Sequence, residues 1–460
     1  MTHVVVVGGG IAGLAAADAL LAGGATVTLI EAARAVGGKL RVSDVGGIAV
    51  DEGAESFLRR RPEGVDLVAS LGLDGDLVSP AASSASVWAR GALRAIPART
   101  LMGVPGDPAA LRGVLSPLEV ARVRADRWLP GQPPDGEDVA VGDWVARRLG
   151  PAVVDRLVDP LLGGVYAGRA RELSLAATLP QLPRDQRSAL AAVSRALPPP
   201  GLPSQPAEPV FATLTTGMGS LPEALAGSIT RRGGVIVTSR TVRRIERFAS
   251  GWRTVHGPTT DEQAIEADGV VLALPAASTR RLLADPVPVA AGELAGIDAA
   301  SMAIVTTVWR REDAPAQSSS GYLVPAATGR PVKAVTFASA KWAHLDRDGL
   351  AVVRASIGRH GDVADLQRDD GDLVTAATTE LTRYAGFTGA PVASRVTRWG
   401  GGLPQYAVGH LDRVARIRAA VTDVPGLAVC GASYDGVGIP ACIKTGRQAA
   451  EQVLASITRP

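Results

Sequence analysis

Hydrophobic and polar residues follow a clear order at the start of the chain. Residues 4–7 are four valines without polar alternation, which predicts a buried parallel strand. Residues 11–21 are small and apolar and predict a helix that can pack close to a sheet, with Gly23 and Gly24 ending it. Residues 25–30 predict a second strand. The pattern therefore predicts a βαβ unit that begins at residue 4.

The rest of the chain changes pattern twice. Residues 85–209 carry proline clusters between helical stretches, with proline-rich loops expected at 129–138 and 198–209. Residues 300–360 contain runs of β-branched residues that predict an antiparallel sheet, and strand–helix alternation returns in the tail. We therefore expect an α/β and α+β protein in three parts: a discontinuous Rossmann-like cofactor domain (1–84, 210–275 and 396–460), a mainly helical insertion (85–209) and a β-rich, mixed-sheet substrate domain (276–395).

A glycine-rich turn joins the first predicted strand to the helix. It has the form G-x-G-x-x-G, and an acid stands at the end of the second strand. The glycines allow a tight turn and close approach of a pyrophosphate, and the acid can bind a ribose. The alternative is a turn that serves packing alone. With strand, helix and acid all in place, we expect a dinucleotide site formed by Gly8, Gly9, Gly10, Ile11, Ala12, Gly13, Glu31 and Ala32.

The continuation favours FAD over NAD. A second glycine pair, Gly37 and Gly38, follows the acid, which is typical of flavoproteins. Next to it, Lys39 or Arg41 can neutralise a pyrophosphate. After the next predicted strand comes a further turn, which consists of Gly53, Ala54, Glu55 and Ser56.

Composition narrows the class of protein. A chain of 460 residues with 46% hydrophobic residues suits two or three domains with sizeable cores. The net charge is +3 without a concentrated basic tract, so nothing indicates nucleic-acid binding. Cys430 and Cys442 lack metal-ligand spacing, which favours a reduced, cytoplasmic protein and no metal site. No signal peptide or long apolar run is evident, so we expect membrane contact to be peripheral at most.

The tail carries a second glycine-rich turn, in VCGASYDGVGIPACIKTGRQAA, between a strand and a helix expected to begin at Pro440. This turn lacks the second strand and acid that complete a dinucleotide site. Gly436 and Gly438 would let the backbone approach the redox ring of the same cofactor, and the helix N-terminus would face its negative charge. Asp435 either hydrogen-bonds near the ribityl chain or shapes the turn. The two turns would thus serve one cofactor molecule.

Five stretches together resemble a known family: GGVYAGRARELSLAATLP, TLTTGMGSLPEALA, VKAVTFASAKWAH, RWGGGLPQYAVGHLDRV and GASYDGVGIPACIKTGRQAA. The order of segments resembles the glutathione-reductase-like FAD oxidases with amine-oxidase topology. Within that group the chain resembles the oxygen-dependent protoporphyrinogen/coproporphyrinogen III oxidases of haem biosynthesis, over essentially its whole length. Amine oxidases and carotene desaturases share the first turn but not LPQYAVGH.

The resemblance implies one non-covalent FAD per chain. It places the first turn at the pyrophosphate, Glu31 at the ribose and Lys39 near the phosphates. Further contacts that it implies are Gly53, Ala54, Glu55 and Ser56 along the ribityl chain and flavin edge, Val242 at the adenine, Trp399 near the ring, and Val437, Gly438 and Ile439 at its pyrimidine end.

The resemblance also implies the reaction: a porphyrinogen loses six electrons in three flavin cycles, with O2 as acceptor and H2O2 as product. We assign no catalytic residue, since His344, His360 and His410 are more simply structural, and Tyr406 is more simply a packing or hydrogen-bonding residue than an acid. The arginine-rich, actinobacterium-like composition favours coproporphyrinogen III, giving coproporphyrin III. The alternatives are protoporphyrinogen IX oxidation to protoporphyrin IX and, further off, an FAD amine oxidase, a carotenoid desaturase or a non-catalytic flavin-binding protein.

The propionates of such a substrate predict cations around an apolar slot. Arg61, Lys341 and Arg354 are the favoured candidates, although each is individually well explained as a surface charge or a structural pair. Further candidates are Arg41, Arg60 and Arg359. The expected partners are the porphyrinogen and O2, with the next haem-pathway enzyme as a further candidate. The oligomeric state stays open.

Overall fold

The computed structural model describes residues 1–130, 137–197, 209–347 and 349–457. Its strands are β1 (His3–Val7), β2 (Thr26–Ile30), β3 (Val42–Val45), β4 (Ile48–Asp51), β5 (Phe57–Leu58), β6 (Leu77–Val78), β7 (Ser86–Ala89), β8 (Ala92–Ala95), β9 (Thr100–Leu101), β10 (Val104–Pro105), β11 (Phe211–Leu214), β12 (Val235–Val237), β13 (Val242–Phe248), β14 (Gly251–His256), β15 (Gln263–Ala267), β16 (Gly269–Leu272), β17 (Ala299–Arg310), β18 (Gly321–Leu323), β19 (Val332–Phe337), β20 (Leu350–Ile357), β21 (Ala393–Pro404) and β22 (Leu427–Val429).

Helices connect most of these strands. They are α1 (Ile11–Ala22), α2 (Pro62–Ser70), α3 (Pro117–Arg124), α4 (Val141–Leu149), α5 (Pro151–Val153), α6 (Asp159–Tyr166), α7 (Leu175–Thr178), α8 (Ala189–Ala196), α9 (Ser220–Arg231), α10 (Ala276–Leu283), α11 (Pro288–Leu294), α12 (Ala338–Lys341), α13 (Asp370–Tyr384), α14 (His410–Thr422) and α15 (Ile439–Ile457).

A five-stranded parallel sheet carries the N-terminal unit. Its order is β12-β2-β1-β16-β22, so β1 lies at the centre and strands from distant parts of the chain flank it. Helices α1, α9 and α15 pack on one face. Helices α10, α11 and α14 pack on the other, as a fully parallel sheet requires. The predicted βαβ unit is confirmed to within a residue at each end.

Helices α1 and α15 pack at very short distance. A Cβ atom added at Gly446 would lie 2.2 Å from the carbonyl oxygen of Ala12, so only glycine fits at this crossing. Because α1 follows the first glycine turn and α15 follows the second, this contact holds the two turns on the same face of the sheet.

A seven-stranded mixed sheet forms the second layer, with the order β21-β17-β20-β19-β18-β7-β8. The antiparallel sheet predicted within 300–360 is confirmed, and only the β18–β7 pair is parallel. The sheet also takes in β7 and β8, which the sequence placed in the helical insertion, and β21, much of which it placed in the cofactor domain. Strands β7 and β21 pair with β18 and β17, which lie far away in the chain, and β8 joins the sheet only through β7. Local pattern does not reveal such distant pairing.

The segment between β10 and β11 is helical, as predicted, and has its own apolar core. Helices α5 and α6 are joined by one π-helical stretch, Val154–Val158, into a single continuous run. The proline-rich loops predicted at 129–138 and 198–209 fall mostly outside the described residues. Among the helices that the structure describes, none has the length and apolar character needed to cross a membrane.

Candidate functional site

The first glycine turn is closed where it packs and open where a ligand is expected. Gly8 has φ +104°, and a Cβ there would lie 2.6 Å from the carbonyl oxygen of Ala273. A Cβ at Gly13 would lie 1.9 Å from the carbonyl oxygen of Gly8. A Cβ at Gly10 would meet no atom within 4 Å. The open backbone at Gly10 lies directly before α1, where a helix N-terminus favours an anion, so this turn fits a pyrophosphate.

Glu31 lies at the mouth of this turn. Its carboxylate accepts hydrogen bonds from Gly9 N at 2.6 Å and Ala33 N at 2.7 Å. Arg240 N donates to the Glu31 carbonyl at 3.0 Å, which brings the start of β13, and with it Val242, close to the acid. Val242 is buried and Ala32 is exposed. The structure therefore brings the predicted ribose and adenine residues to one edge of the parallel sheet.

Lys39, Gly53 and Trp399 meet at the predicted turn of residues 53–56. A Cβ at Gly53 would lie 2.2 Å from the Lys39 carbonyl oxygen and 3.2 Å from the Trp399 ring. The Trp399 Nε1–H donates to the Glu52 carbonyl at 3.1 Å. Burial lowers the pKa of Lys39. Because Ala54 N also donates to the Lys39 carbonyl, at 3.4 Å, this turn is fixed to the chain that follows the first glycine turn.

The carboxylate of Glu55 binds two of the three favoured substrate cations. Lys341 Nζ donates to it at 2.7 Å, and Arg354 binds its other oxygen. Arg354 also donates to the Gly53 carbonyl at 2.6 Å. Burial would raise the pKa of Glu55, but the charges of Lys341 and Arg354 lower it to about 2. Both cations therefore have a partner within the protein, and Arg354 is buried.

The other candidate cations lie on separate contacts. Arg61 pairs with Glu63 at 3.2 Å, and its side chain is 44% exposed. Arg60 is exposed. Arg41 pairs with Glu52 at 2.8 Å and lies over the Trp399 ring, so it borders the turn of residues 53–56. Arg359 donates to two carbonyl oxygens, those of Arg330 at 3.2 Å and Val324 at 3.1 Å.

Asp51 is a buried acid that the sequence reading missed. It ends β4, accepts a hydrogen bond from Met218 N at 2.8 Å and lines a small cavity with Glu55 and Arg354. Burial raises its pKa to about 7, although the charge of Arg354 acts in the opposite direction. In the sequence, Asp51 follows the apolar residues of the predicted strand in IAVDEG. An acid at that place is equally typical of an ordinary strand end, so it did not indicate a buried carboxyl group.

The second glycine turn, in the tail, is held by Tyr406. The Tyr406 hydroxyl donates to the Ala432 carbonyl at 2.6 Å and accepts from Gly436 N at 2.7 Å. Gly431 N donates to the hydroxyl of Thr445 on α15 at 3.1 Å. Tyr406 is thus a hydrogen-bonding residue, as expected, and it fixes both sides of the turn.

The tail turn is open at Gly438, where an added Cβ would meet only Pro440 Cδ, at 3.9 Å. Val437 packs against the core of the helical insertion, and α15 begins at Ile439, one residue before the predicted start. Asp435 forms an ion pair with Arg418. Its carboxylate therefore already has a partner within the protein, which favours the turn-shaping role over a hydrogen bond near the ribityl chain.

Two of the three candidate histidines, His360 and His410, have structural hydrogen bonds. His410 Nε2 bonds to the Tyr434 carbonyl at 2.9 Å, and burial lowers its pKa. His360 lies between two carboxylates, at 2.9 Å and 2.8 Å. Burial also lowers the pKa of His344, which lines the small cavity beside Asp51.

Two open glycine turns on one sheet face, joined by the α1–α15 contact, define the class: a flavin-dependent oxidoreductase of the amine-oxidase type. The sequence model of the family described as flavin containing amine oxidoreductase matches residues 11–454. The chain belongs to this family and, within it, groups with the coproporphyrinogen III and protoporphyrinogen oxidases.

Three relatives support this grouping. The chain is 37% identical over 462 residues to coproporphyrinogen III oxidase of Mycobacterium leprae (strain TN), covering 99% of this chain and 98% of the relative. It is 30% identical to coproporphyrinogen III oxidase of Bacillus subtilis (strain 168), with 98% of each chain covered. A crystal structure from Exiguobacterium sp. 255-15, described as a protoporphyrinogen oxidase, matches with a TM-score of 0.85 at 30% identity, over 98% of both chains.

Proposed function

We propose that the protein is an FAD-dependent oxidase that converts coproporphyrinogen III to coproporphyrin III with O2 as acceptor and H2O2 as product. The observation that carries the proposal is the full-length similarity, at 37% identity, to a coproporphyrinogen III oxidase. The two glycine turns support it, because both leave backbone open where a flavin dinucleotide would lie.

One non-covalent FAD per chain fits the residues present. Gly8, Gly9, Gly10, Ile11, Ala12 and Gly13 would hold its diphosphate, with Glu31 and Ala32 at the ribose, Val242 at the adenine and Lys39 near the phosphates. Gly53, Ala54, Glu55 and Ser56 would follow the ribityl chain, and Trp399, Val437, Gly438 and Ile439 would flank the ring. When bound, this cofactor supplies two-electron oxidation and reoxidation by O2.

The protein's own residues would position the substrate and stabilise negative charge at the ring end of the cofactor. The N-terminus of α15 would favour negative charge at the ring end, an effect of about 0.3–2 kcal/mol depending on burial. Lys341 and Arg354 would act by fixing Glu55, and thereby the turn of residues 53–56, near the substrate. Arg61 would exchange its partner Glu63 for a propionate, which costs little because the Arg61 side chain is 44% exposed and ion pairs open to solvent are weak.

The division of the chain into three parts is also a proposal, revised by sheet membership. The cofactor domain would comprise residues 1–84, 210–294 and the tail after β21, because α10 and α11 pack on the parallel sheet. Strands β7, β8 and β21 would belong to the substrate domain. The helical insertion would then begin after β8.

A second candidate substrate, protoporphyrinogen IX, is favoured by one observation: the Exiguobacterium structure described as a protoporphyrinogen oxidase is 30% identical over 98% of the chain. The two substrates differ in the number of propionates, so charge at the slot should discriminate between them.

The decisive experiment compares both porphyrinogens with the purified, flavin-loaded protein. Porphyrin fluorescence should rise faster with coproporphyrinogen III, and faster turnover of protoporphyrinogen IX would overturn the substrate assignment. In an anaerobic mixing experiment, the flavin absorbance at about 450 nm should bleach on addition of porphyrinogen. A flavin spectrum that stays unbleached with both substrates would rule out the oxidase function itself.

A further inference from the structure

A cleft on the helical insertion is lined by three arginines that have no role in the proposed oxidase site. Arg90, Arg112 and Arg124 line it together with Leu115, Pro117 and Val120, and its volume is about 290 Å³. None of the residues proposed to hold flavin or porphyrinogen lines this cleft. Its size suits one small organic molecule.

The charge of the cleft is unbalanced. Its lining residues include three arginines and no aspartate or glutamate. Within the described part of the chain, neither Arg112 nor Arg124 forms an ion pair with an Asp or Glu side chain, and both are exposed. Like charges in one cleft repel, and an anion bound between them relieves that repulsion.

The backbone at Arg90 gives a second, independent indication. Ala89 pairs with Ala92, so Arg90 and Gly91 form the two-residue turn between β7 and β8, with φ of +52° and +78°. Such turns favour asparagine followed by glycine, because a longer side chain in the left-handed region is strained by about 1 kcal/mol. Arg90 Nη1 donates to the Leu115 carbonyl at 3.5 Å, which directs the guanidinium to the cleft. An arginine that holds a strained backbone conformation in a turn suited to asparagine is consistent with a use for its charge.

The apolar lining residues of the cleft indicate that the ligand also has an apolar group. Leu115 and Val120 are buried residues of the insertion core, and Pro117 begins α3 at the edge of the cleft. We propose that the cleft binds a soluble organic dianion of the phosphate-monoester type, with its charged group on the three arginines and its apolar group against the exposed ring of Pro117, behind which Leu115 and Val120 close the apolar wall. Arginine suits this role because its planar fork binds phosphate oxygens in pairs.

The test is a calorimetric titration of the flavin-loaded protein with 1-naphthyl phosphate, with 1-naphthol and inorganic phosphate as matched probes. The phosphate ester should bind at least about tenfold more tightly than either probe alone, since it uses both parts of the cleft. Equal affinity for all three, or no binding of the ester, would overturn the proposal. Sedimentation with phosphatidate vesicles forms a further arm, and binding to vesicles without binding of the soluble ester would also overturn it.

Variants separate a binding role from a structural one. The double variant Arg112→Gln/Arg124→Gln should bind the ester at least about tenfold more weakly than the parent, with an unchanged flavin spectrum. Arg90→Asn should lower the affinity for the ester, while the thermal midpoint of unfolding stays the same or rises because asparagine suits the turn. A loss of stability with unchanged affinity in Arg90→Asn would contradict the proposal. Arg127→Gln is the matched control, because the Arg127 guanidinium lies over the Trp128 ring and Arg127 does not line the cleft. The affinity of this variant for the ester should equal that of the parent.

Discussion

Asp51 and Glu55 are carboxyl groups four residues apart, and their surroundings shift their pKa values in opposite directions. Burial raises the pKa of Asp51 to about 7. For Glu55, the charges of Lys341 and Arg354 outweigh burial and hold the pKa at about 2. Glu55 therefore contributes stability above its unfolded pKa of about 4 that is lost as the pH falls towards 2, whereas Asp51 has the opposite effect at higher pH.

Asp51→Asn should remove one source of pH dependence. Between about pH 4 and pH 7 the folded state binds more protons at Asp51 than the unfolded state does, so this residue lowers the free energy of unfolding as the pH rises. The variant keeps an acceptor for Met218 N and cannot ionise. At pH 8 it should be more stable than the parent by a few kcal/mol, up to roughly 4, and near pH 4 the difference should vanish.

Urea unfolding across this pH range measures the effect. The control is Asp44→Asn in the same hairpin, where the side chain is exposed and accepts from Gly47 N, an interaction that asparagine retains. If Asp51→Asn and Asp44→Asn followed the parent's pH profile equally, the raised pKa of Asp51 would be disproved.

At the scale of elements, two features hold the proposed flavin site together: the α1–α15 crossing, which keeps the two glycine turns on one sheet face, and the tail turn itself. Gly446→Ala places a methyl group 2.2 Å from the Ala12 carbonyl, so the helices must separate. We expect a loss of about 1–3 kcal/mol, the usual cost of overpacking, together with weaker flavin binding. Chemical denaturation and flavin titration measure both.

The matched control for this crossing is Gly227→Ala in α9. A Cβ there would meet only the end of the flexible Arg231 side chain, at 3.3 Å. Removing a glycine from a helix interior should stabilise the protein by roughly 0.5–1 kcal/mol. Equal stability changes in the two variants would show that the crossing is not closely packed.

Gly438→Leu tests the second turn directly. The added side chain would enter open space, since a Cβ there meets only Pro440 Cδ at 3.9 Å. The fold should therefore hold while flavin affinity or the rate of flavin reduction falls by at least about tenfold, because the side chain occupies the place proposed for the ring. Thermal unfolding and anaerobic reduction separate the two effects. Normal flavin content and normal activity would count against the ring-end assignment.

The sequence predicted the elements whose signals are local. The βαβ unit was predictable because an unbroken apolar run, a glycine turn and an acid lie within the first 31 residues. Strands β7 and β8 were not, because their place in the mixed sheet depends on pairing with β18, more than 200 residues later. For the same reason the sequence does not reveal that the candidate cations Lys341 and Arg354 pair with Glu55, since Lys341 lies 286 residues from it in the chain.

At the scale of the whole molecule, the proposed cofactor would join segments that are more than 400 residues apart. Removal of the flavin should lower the thermal midpoint by several degrees, and added FAD should restore it, with a gain of about 2.7 kcal/mol when FAD is present at 100 times its Kd. Differential scanning fluorimetry measures the midpoint.

ADP provides the control, because it reproduces the adenosine diphosphate half that the first turn would hold. It should recover only part of the shift, since it cannot reach the turn at Gly438. Full recovery with ADP would show that the tail turn adds no binding energy to the complex.

The parallel sheet also sets a condition on how the protein is made. Its edge strand β22 and the helix α15 that covers α1 come from residues 427–457, so a ribosome has translated nearly all of the described chain before the cofactor domain can close. Until then the side of α1 that contacts α15 has no partner, and exposed apolar surface of this kind favours aggregation. Flavin loading should therefore follow release of the chain, and a product truncated before residue 427 should be degraded as unfolded protein.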